Sequence, residues 1–280
     1  MFASIALAAR IEAAESRLMT EIAGAAARRR PRDGVFVLEV GGGSATWVGE
    51  GSPANKVAGL GFAAAPAEAL IDVVEQAFAA RRSPVQVELS CLAESSLAAS
   101  FTRRGYLLVN FENVLGQALP AGVPPPPPGI EIRDCRAADR AWLDAITTGF
   151  AHPDVEGVPS HESFPRELVE RTLLDMASVP GLRHQLAWRN GELAGAGSMR
   201  LWDGVAQLCG AATLPQHRRQ GVQTALTLAR LRAAAEAGCE LAVVTTQPAS
   251  RSQQNAQRQG FSLLYTRAIL VREAPGTEPR

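Results

Sequence analysis

The sequence has no charge excess of either sign. Its 280 residues include 28 Lys plus Arg and 28 Asp plus Glu, so the formal net charge at pH 7 is zero. The part up to residue 123 has 11 basic and 12 acidic residues, and the part after it has 17 and 16. Proteins that hold nucleic acid or anionic membranes rely on a basic surface field. The balance in both parts therefore argues against either partner.

Cysteines are few, and long apolar runs are missing. Cys91, Cys135, Cys209 and Cys239 are separated by 44, 74 and 30 residues, which matches neither a metal knuckle nor a redox pair. We expect no metal, and free thiols suit a reducing compartment. No uninterrupted apolar stretch reaches the roughly 18 residues that a membrane span needs. The apolar first ten residues lack a preceding basic residue, so we expect a cytoplasmic protein without an export leader.

Proline is concentrated in one segment. Residues 121–129 read Ala-Gly-Val-Pro-Pro-Pro-Pro-Pro-Gly, and consecutive prolines favour an extended, semi-rigid spacer. A chain of this length commonly folds as two domains. The sequence therefore predicts a first domain at 1–123, a linker at 124–129, a second domain at 130–273 and a disordered tail at 274–280.

Hydrophobic periodicity predicts alternating helices and strands in both domains. The predicted helices cover residues 3–29, 67–80, 96–104, 138–150, 165–178, 222–237 and 252–259. The predicted strands cover residues 35–40, 46–48, 85–89, 106–115, 184–189, 193–201, 205–213, 241–246 and 262–271. The expected buried face of the second helix consists of Leu70, Val73, Val74, Ala77 and Phe78. Strand 85–89 alternates in the way that half-buried strands do.

The segment from Pro215 to Leu226 combines a strand end, a short basic turn and a helix start. The first turn of a helix leaves up to four N–H groups without intrahelical partners, and the helix dipole favours an anion there. Arg218 and Arg219 add forked donors that suit phosphate oxygens, and Gly221 lets the backbone approach a ligand closely. The segment therefore predicts a phosphate-binding turn.

This segment also carries a family signature. Arg218-x-x-Gly221-x-Gln223 is similar to the Arg/Gln-x-x-Gly-x-Gly/Ala pattern of the GNAT acetyltransferase superfamily, and Pro215 and Leu226 stand where that family has them. Gln223 departs from the pattern, because Gly or Ala is usual at its position. The departure removes no backbone amide donor.

The resemblance covers about residues 130–272. It implies the fold class α/β (α+β), as two tandem GNAT-like domains, each a mixed, mostly antiparallel sheet flanked by helices. It implies acetyl-CoA as co-substrate, with its pyrophosphate on the amides of residues 219–224 and its pantetheine arm along residues 212–214. Two splayed parallel strands, 205–213 and 241–246, would form the thioester slot. The implied cofactor-binding residues are Ala212, Thr213, Leu214, Arg218, Arg219, Gln220, Gly221, Val222, Gln223, Thr224 and Asn255.

The first domain resembles a degenerate copy of the second. The passage from helix to strand takes 15 residues both from Leu70 to Val85 and from Leu226 to Leu241. The first domain has no arginine at the corresponding helix start, and Glu68 lies where a pyrophosphate would have to approach. We therefore expect no coenzyme in the first domain.

The general acid usual in the family is missing. The family often has a tyrosine in its last short helix, and Ala256 occupies that position here. Ser252 and Asn255 stand at neighbouring motif positions, where they can hydrogen-bond the pantetheine or the sulfur, or cap a turn. Tyr265 is either another candidate acid or a packed aromatic residue.

The loop between the first two helices of the second domain is a candidate acceptor wall. It contains His152, Asp154, Glu156, His161 and Glu162, which can meet an amine or relay a proton through water. A plain surface loop and a metal site are the alternatives, although no His-x-x-x-His spacing is present. The catalytic candidates are Ser252, Asn255, Tyr265, His152 and Glu156.

The resemblance implies an N-acetyltransferase that moves an acetyl group from acetyl-CoA to an amine of a small molecule or peptide. The amine would attack directly, without a covalent enzyme intermediate. The alternative is a catalytically silent acyl-CoA-binding sensor or scaffold, because strand 205–213 contains no acid and the usual tyrosine is missing. The sequence specifies neither the acceptor nor the oligomeric state.

Overall fold

Helices and strands alternate along the chain in the computed structural model, which describes residues 1–63, 65–119, 124, 127–153, 158, 164–274 and 276. Contacts divide the chain into two units. The C-terminal unit contains residues 1–2, 113–159 and 176–264, and the N-terminal unit contains residues 3–112, 160–175 and 265–280. Each unit combines three separate segments of the chain, so the units differ from the predicted domains. The domain division at the proline-rich segment stays a prediction. Most of the expected disordered tail lies outside the described residues.

The elements before the proline-rich segment are α1 (Ile5–Arg29), β1 (Phe36–Val40), β2 (Gly43–Trp47), β3 (Lys56–Ala58), α2 (Glu68–Ala79), β4 (Val85–Ser90), α3 (Ser96–Arg103) and β5 (Leu107–Ala118). The elements after it are β6 (Ile130–Cys135), α4 (Arg140–Ala151), α5 (Arg166–Ala177), β7 (Leu182–Arg189), β8 (Glu192–Trp202), β9 (Val205–Thr213), a 3₁₀ turn (Pro215–His217), α6 (Val222–Glu236), β10 (Leu241–Thr246), α7 (Arg251–Arg258) and β11 (Ser262–Arg272). The predicted helices are all present. Strands β3 and β6 were not predicted.

The strands of both units follow one pattern. In the N-terminal unit the strand order is β1-β2-β3-β4-β11, and in the C-terminal unit it is β5-β10-β9-β8-β7-β6. Each unit has one parallel pair, β3 with β4 and β9 with β10, and its other neighbours are antiparallel. The fold class is therefore mixed α/β with mostly antiparallel sheets, as predicted.

The last strand of each sequence half pairs in the unit of the other half. Within β5, residues Asn113 to Ala118 pair with β10. Within β11, residues Arg267 to Arg272 pair with β4. Each unit therefore needs a strand from the other half of the sequence to complete its hydrogen bonding.

Two expectations about the first domain are wrong in detail. The buried face of α2 consists of Ile71, Val74 and Phe78, whereas Leu70 is 38% and Val73 50% exposed. The buried stripe, at positions i, i+3 and i+7, is narrower than the one that we predicted, and it includes Ile71 instead of Leu70. Strand β4 is buried on both faces, and its Glu88 enters an ionic network.

This network joins β4, β11 and α1 inside the N-terminal unit. Arg267 donates from Nε to Oε1 of Glu12 at 2.8 Å and from a terminal nitrogen to Oε2 of Glu88 at 3.3 Å. Tyr265 donates its hydroxyl to the same Glu12 oxygen at 2.7 Å, and Lys56 donates to Glu88. Arg267, Glu12 and Glu88 are each at most 2% exposed. Each buried carboxylate therefore has a cationic partner.

Glu112 extends the network at its edge. Burial raises the pKa of Glu112 to about 7, and the neighbouring carboxylates of Glu88 and Glu15 add to the rise. The positive charges of Lys56 and Arg267 oppose it. Glu112 therefore holds a proton in the folded protein at pH values where an ordinary glutamate has lost it.

Glu112→Gln should stabilise the protein more at pH 8 than at pH 5. Between pH 5 and pH 8 the unfolded chain is already deprotonated at Glu112, whereas the folded chain loses this proton only as pH rises. The free energy of unfolding of the unsubstituted protein therefore falls over this range. Because the side chain is only half-buried, we expect the gain to grow by about 2 kcal/mol over this range. Urea unfolding of both proteins measures it. An equal gain at both pH values would contradict the raised pKa.

The C-terminal unit packs its helices on the sheet that ends in β6. One apolar cluster joins α6, α7, β5, β8, β9 and β10, with Leu115, Met199 and Leu231 nearly inaccessible. A second cluster joins the start of α6 to β6, β7 and β8. These contacts fix the first turn of α6 against the sheet edge.

Among the described residues no helix is long and apolar enough to cross a membrane.

Candidate coenzyme-binding cleft

The start of α6 presents a row of open backbone amides. Strand β9 ends at Thr213, the 3₁₀ turn follows, and the first helical hydrogen bond runs from Ala225 N–H to the Gly221 carbonyl at 2.9 Å. In the described part of the chain, no acceptor is hydrogen-bonded to the amides of residues 219–224. Such a row, at the positive end of a 15-residue helix, favours a bound anion.

Left-handed backbone at two positions shapes this turn. Gly221 has φ of +81° and Arg219 has φ of +61°. A Cβ on Gly221 would lie 3.4 Å from Pro127 and 3.5 Å from Ile130, which is ordinary contact distance. Glycine is therefore favoured at 221 by its backbone angles rather than by lack of space.

The parallel strands β9 and β10 pair only at their beginnings. Leu241, Ala242 and Val243 pair with the first three residues of β9, and no pairing continues beyond Gln207. The strand ends are therefore apart, as the splayed slot requires. The register of β9 against β8 also shifts near Gly210, which has φ of +50°. A bulge of this kind turns the following residues of a strand.

Polar atoms near the strand ends are buried without partners. Within the described chain, no hydrogen bond reaches Oγ1 of Thr213, Oγ1 of Thr246 or Oε1 of Gln247. Buried polar atoms in proteins are normally hydrogen-bonded, and each exception calls for an explanation such as a ligand. Of these three residues Thr213 lines the cleft described below, and a ligand with amide groups in the slot would supply its hydroxyl with a partner.

An open cleft of about 430 Å³ joins these features. Its lining residues are Gly149, Phe150, Pro153, Ala211, Ala212, Thr213, His217, Arg218, Arg219, Gly221, Val222, Gln223, Thr224, Arg251, Ser252, Asn255 and Arg258. Among these described lining residues four are arginines and none is acidic. A cleft with charges of one sign attracts ligands of the opposite sign.

Most of the predicted coenzyme residues line this cleft. Leu214 and Gln220 do not. The Leu214 N–H donates to the Ala194 carbonyl of β8 at 3.0 Å, and the Gln220 side chain donates to the Gln216 carbonyl at 3.1 Å. The predicted pantetheine edge is thus reduced to Ala212 and Thr213.

Helix α7 contributes one wall. Its cleft face has Arg251, Ser252, Asn255 and Arg258, whereas Ala256 is buried in the core. The Ser252 hydroxyl is exposed, and no described residue is hydrogen-bonded to the side chain of Ser252 or Asn255. Both side chains remain available to a ligand.

The end of α4 forms the facing wall. A Cβ on Gly149 would lie 2.2 Å from the Cβ of Ala212, so only glycine lets α4 approach β9 this closely. After α4, His152 is exposed, and its carbonyl accepts a hydrogen bond from Arg218. His152 itself does not line the cleft, although Phe150 and Pro153 do.

The other catalytic candidates lie elsewhere or are not described. Tyr265 is 4% exposed, belongs to the network around Glu12, and does not line the cleft. Burial and the Glu12 carboxylate raise the pKa of Tyr265 above its ordinary value. The remaining loop candidates, Asp154, Glu156, His161 and Glu162, lie outside the described residues. Elsewhere in the described chain, no three His, Cys, Asp or Glu side chains group as metal ligands.

Sequence reasoning missed several lining residues. The spacing of Arg251, Asn255 and Arg258 places them on one helix face, so the motif position of Asn255 was a signal for both arginines. Gly149 gave no local signal, because its role depends on the approach of a distant strand. His217, in the 3₁₀ turn, is buried with Nε2 3.8 Å from Oε2 of Glu192.

Comparisons with known proteins agree with this fold. The fold is similar to a GCN5-related N-acetyltransferase from Kribbella flavida, with a TM-score of 0.64, 19% identity, and 94% of this chain and 96% of that chain covered. A tandem GNAT protein from the clavulanic acid biosynthesis pathway, solved without AcCoA, gives a TM-score of 0.61 at 14% identity, with 92% and 89% covered.

A further similar structure is a GCN5-related N-acetyltransferase from Sphaerobacter thermophilus. Its TM-score is 0.57 at 19% identity, with 75% of this chain and 69% of that chain covered. No curated protein matches the sequence. Residues 149–261 match the model of the acetyltransferase (GNAT) family. They include the end of α4, the splayed strands and the arginine-lined cleft, so this part of the chain is similar to that family.

Proposed function

We propose that the protein is an N-acetyltransferase that transfers an acetyl group from acetyl-CoA to the amine of a small molecule or peptide. The observation that supports it most is the row of open amides at residues 219–224, in a cleft with four arginines and no carboxylate among its described lining. This arrangement suits the pyrophosphate of a coenzyme. The family match of residues 149–261 supports acyl transfer as the reaction class.

Different residues of the cleft would bind different groups of the coenzyme. Arg219 and the amides of residues 219–224 would bind the pyrophosphate. Thr213 and Asn255 would hydrogen-bond the amide groups of the pantetheine arm. When bound, acetyl-CoA supplies an activated acyl carbonyl as a thioester.

In the reaction, an unprotonated amine attacks the thioester carbonyl carbon. A C–N bond forms, the C–S bond breaks, and the departing thiolate needs a proton. Ser252 is an exposed cleft hydroxyl able to donate a hydrogen bond to that sulfur. We expect the base that removes the amine proton on the acceptor side. His152, which is exposed after the end of α4, is the described candidate.

Steady turnover tests this function. We expect free thiol to appear continuously when the full chain is given acetyl-CoA and an amine from a broad panel, and to stop when the amine is omitted. Acetylated amine should form in equal amount. Release of thiol without product would contradict transfer to an amine.

A second candidate is a protein that binds acyl-CoA without turning it over. It is favoured by one observation: the described lining of the cleft has no Asp, Glu, Cys or Tyr, so carboxylate, thiol and phenol groups are absent from that lining. Tight binding of acetyl-CoA with no turnover across the amine panel would support this candidate against the first.

Asn255→Ala should lower kcat/KM for acetyl-CoA by about tenfold, because one hydrogen bond to the coenzyme is lost. Its side chain has no described partner, so stability should change little. Gln257→Ala is the matched control, since Gln257 is exposed on the same helix but outside the cleft. Equal effects of the two substitutions would show that Asn255 does not contact the coenzyme.

A further inference from the structure

The cleft face of α7 carries two cations at its opposite ends. Arg251 and Arg258 are seven residues apart, which corresponds to roughly 10 Å along a helix. Ser252 and Asn255 lie between them on the same face. The face is therefore long enough to contact two separate groups of one extended ligand.

The four arginines of the cleft are not equivalent. Arg218 donates to the His152 carbonyl, and Arg251 donates to Oε1 of Gln254 at 3.3 Å. Neither Arg219 nor Arg258 has a partner in the described part of the chain. Two guanidinium groups are thus held at the cleft without a protein anion to satisfy them, and they lie on different walls.

The position of Arg258 is informative because α7 ends there. A helix C-terminus carries partial negative charge and repels anions. Without Arg258, this end of the cleft would disfavour a phosphate. A guanidinium reverses the local charge and offers a forked pair of donors that fits a phosphate monoester.

Coenzyme A has two kinds of phosphate. Its pyrophosphate would occupy the amide row near Arg219, as proposed above. Its ribose carries a separate 3′-phosphate, which is a monoester and needs a donor of its own. This inference rests on the proposed coenzyme site and concerns how that site selects its ligand.

We infer that Arg258 binds the 3′-phosphate and makes the protein select coenzyme A thioesters over 3′-dephospho forms. Arg219 is committed to the pyrophosphate and does not provide this selection. The 3′-phosphate is then a specificity determinant that the α6 signature does not encode.

Calorimetric titration of the full chain with coenzyme A and with 3′-dephospho-coenzyme A tests the inference. The native protein should bind coenzyme A about tenfold more tightly. Arg258→Gln should remove this preference while leaving the Kd for the dephospho form within about twofold, and Arg258→Lys should keep part of it. Arg232→Gln removes an exposed charge on α6 outside the cleft and should keep all of it.

The outcomes separate this inference from the proposed function. Equal affinity of the native protein for both ligands overturns the role of Arg258 and leaves the coenzyme site intact. An unchanged preference in Arg258→Gln, or an equal loss for both ligands, also overturns it. No binding of either ligand by the native protein overturns the coenzyme site and this inference together.

Discussion

Replacing Arg218 and Arg219 together by alanine should weaken coenzyme A binding by about 2–4 kcal/mol, at ~1–2 kcal/mol for each charged contact. The corresponding increase in Kd is about 30- to 1,000-fold. Both side chains line the cleft beside the open amides, which are unchanged by the substitutions. Residual binding should therefore come from the amide row, the pantetheine contacts and Arg258, and it should depend less on salt than native binding does.

The two single variants separate binding from positioning. Arg219 is exposed and has no described partner, so Arg219→Ala should raise Kd without changing the unfolding midpoint. Arg218 also donates to the His152 carbonyl at the end of α4, so its loss should in addition loosen that wall. Titration calorimetry at two salt concentrations measures the Kd values, and thermal unfolding measures the midpoints. With Arg232→Gln as control, an unchanged Kd in the double variant would count against the site.

The site could be predicted largely from one short segment. The anion-binding turn depends on local features, namely a strand end, two arginines and a glycine before a helix, and these act within a few residues. Because these signals are local, they do not report residues whose role depends on a distant part of the chain. Gly149 is needed because α4 approaches Ala212 on a distant strand, and no periodicity within α4 reports that approach.

The fold was predictable in its elements and not in its pairing. Periodicity identifies a strand but not its neighbours, so the exchange of β5 and β11 between the units could not be predicted. Strand β4 illustrates the consequence. Its residues Gln86 and Glu88 look solvent-facing in sequence, yet both are buried, because β11 brings Arg267 to Glu88 from 179 positions away.

A truncated chain illustrates why this pairing matters for experiments. A fragment starting after the proline-rich segment would lack Asn113 to Ala118, which pair with β10. It would also lack β4, the partner of the end of β11. Functional tests therefore require the full chain.

Arg267→Met should destabilise the N-terminal unit by about 3–5 kcal/mol, which is the usual effect of removing one partner from a buried ion pair. Burial by itself lowers the pKa of Arg267, but Glu12, Glu15 and Glu88 outweigh it and raise that pKa well above its ordinary value. The arginine is therefore charged, and its loss leaves Glu12 without a cation. Glu88 keeps Lys56.

Protonation of Glu12 gives this prediction a second readout. Burial raises the pKa of Glu12 even with Arg267 present, although Arg267 and Tyr265 oppose the rise. Without Arg267 the pKa should rise further, so the loss of stability should be smaller at pH 5 than at pH 8. Glu12→Gln in the Arg267→Met background should recover part of the loss at pH 8, because it removes the uncompensated charge.

Urea unfolding of the full chain at both pH values measures these differences. Arg17→Met is the matched control, because Arg17 pairs with Glu21 at 2.8 Å with 56% of its side chain exposed. Exposed pairs contribute about 0.2–1 kcal/mol, so the control should change stability little and should show no comparable pH dependence. If Arg267→Met cost no more than this control, the buried network would not be what holds β11 beside β4. If the free energy of unfolding fell equally at both pH values, the loss would come from packing and not from the charge of Glu12.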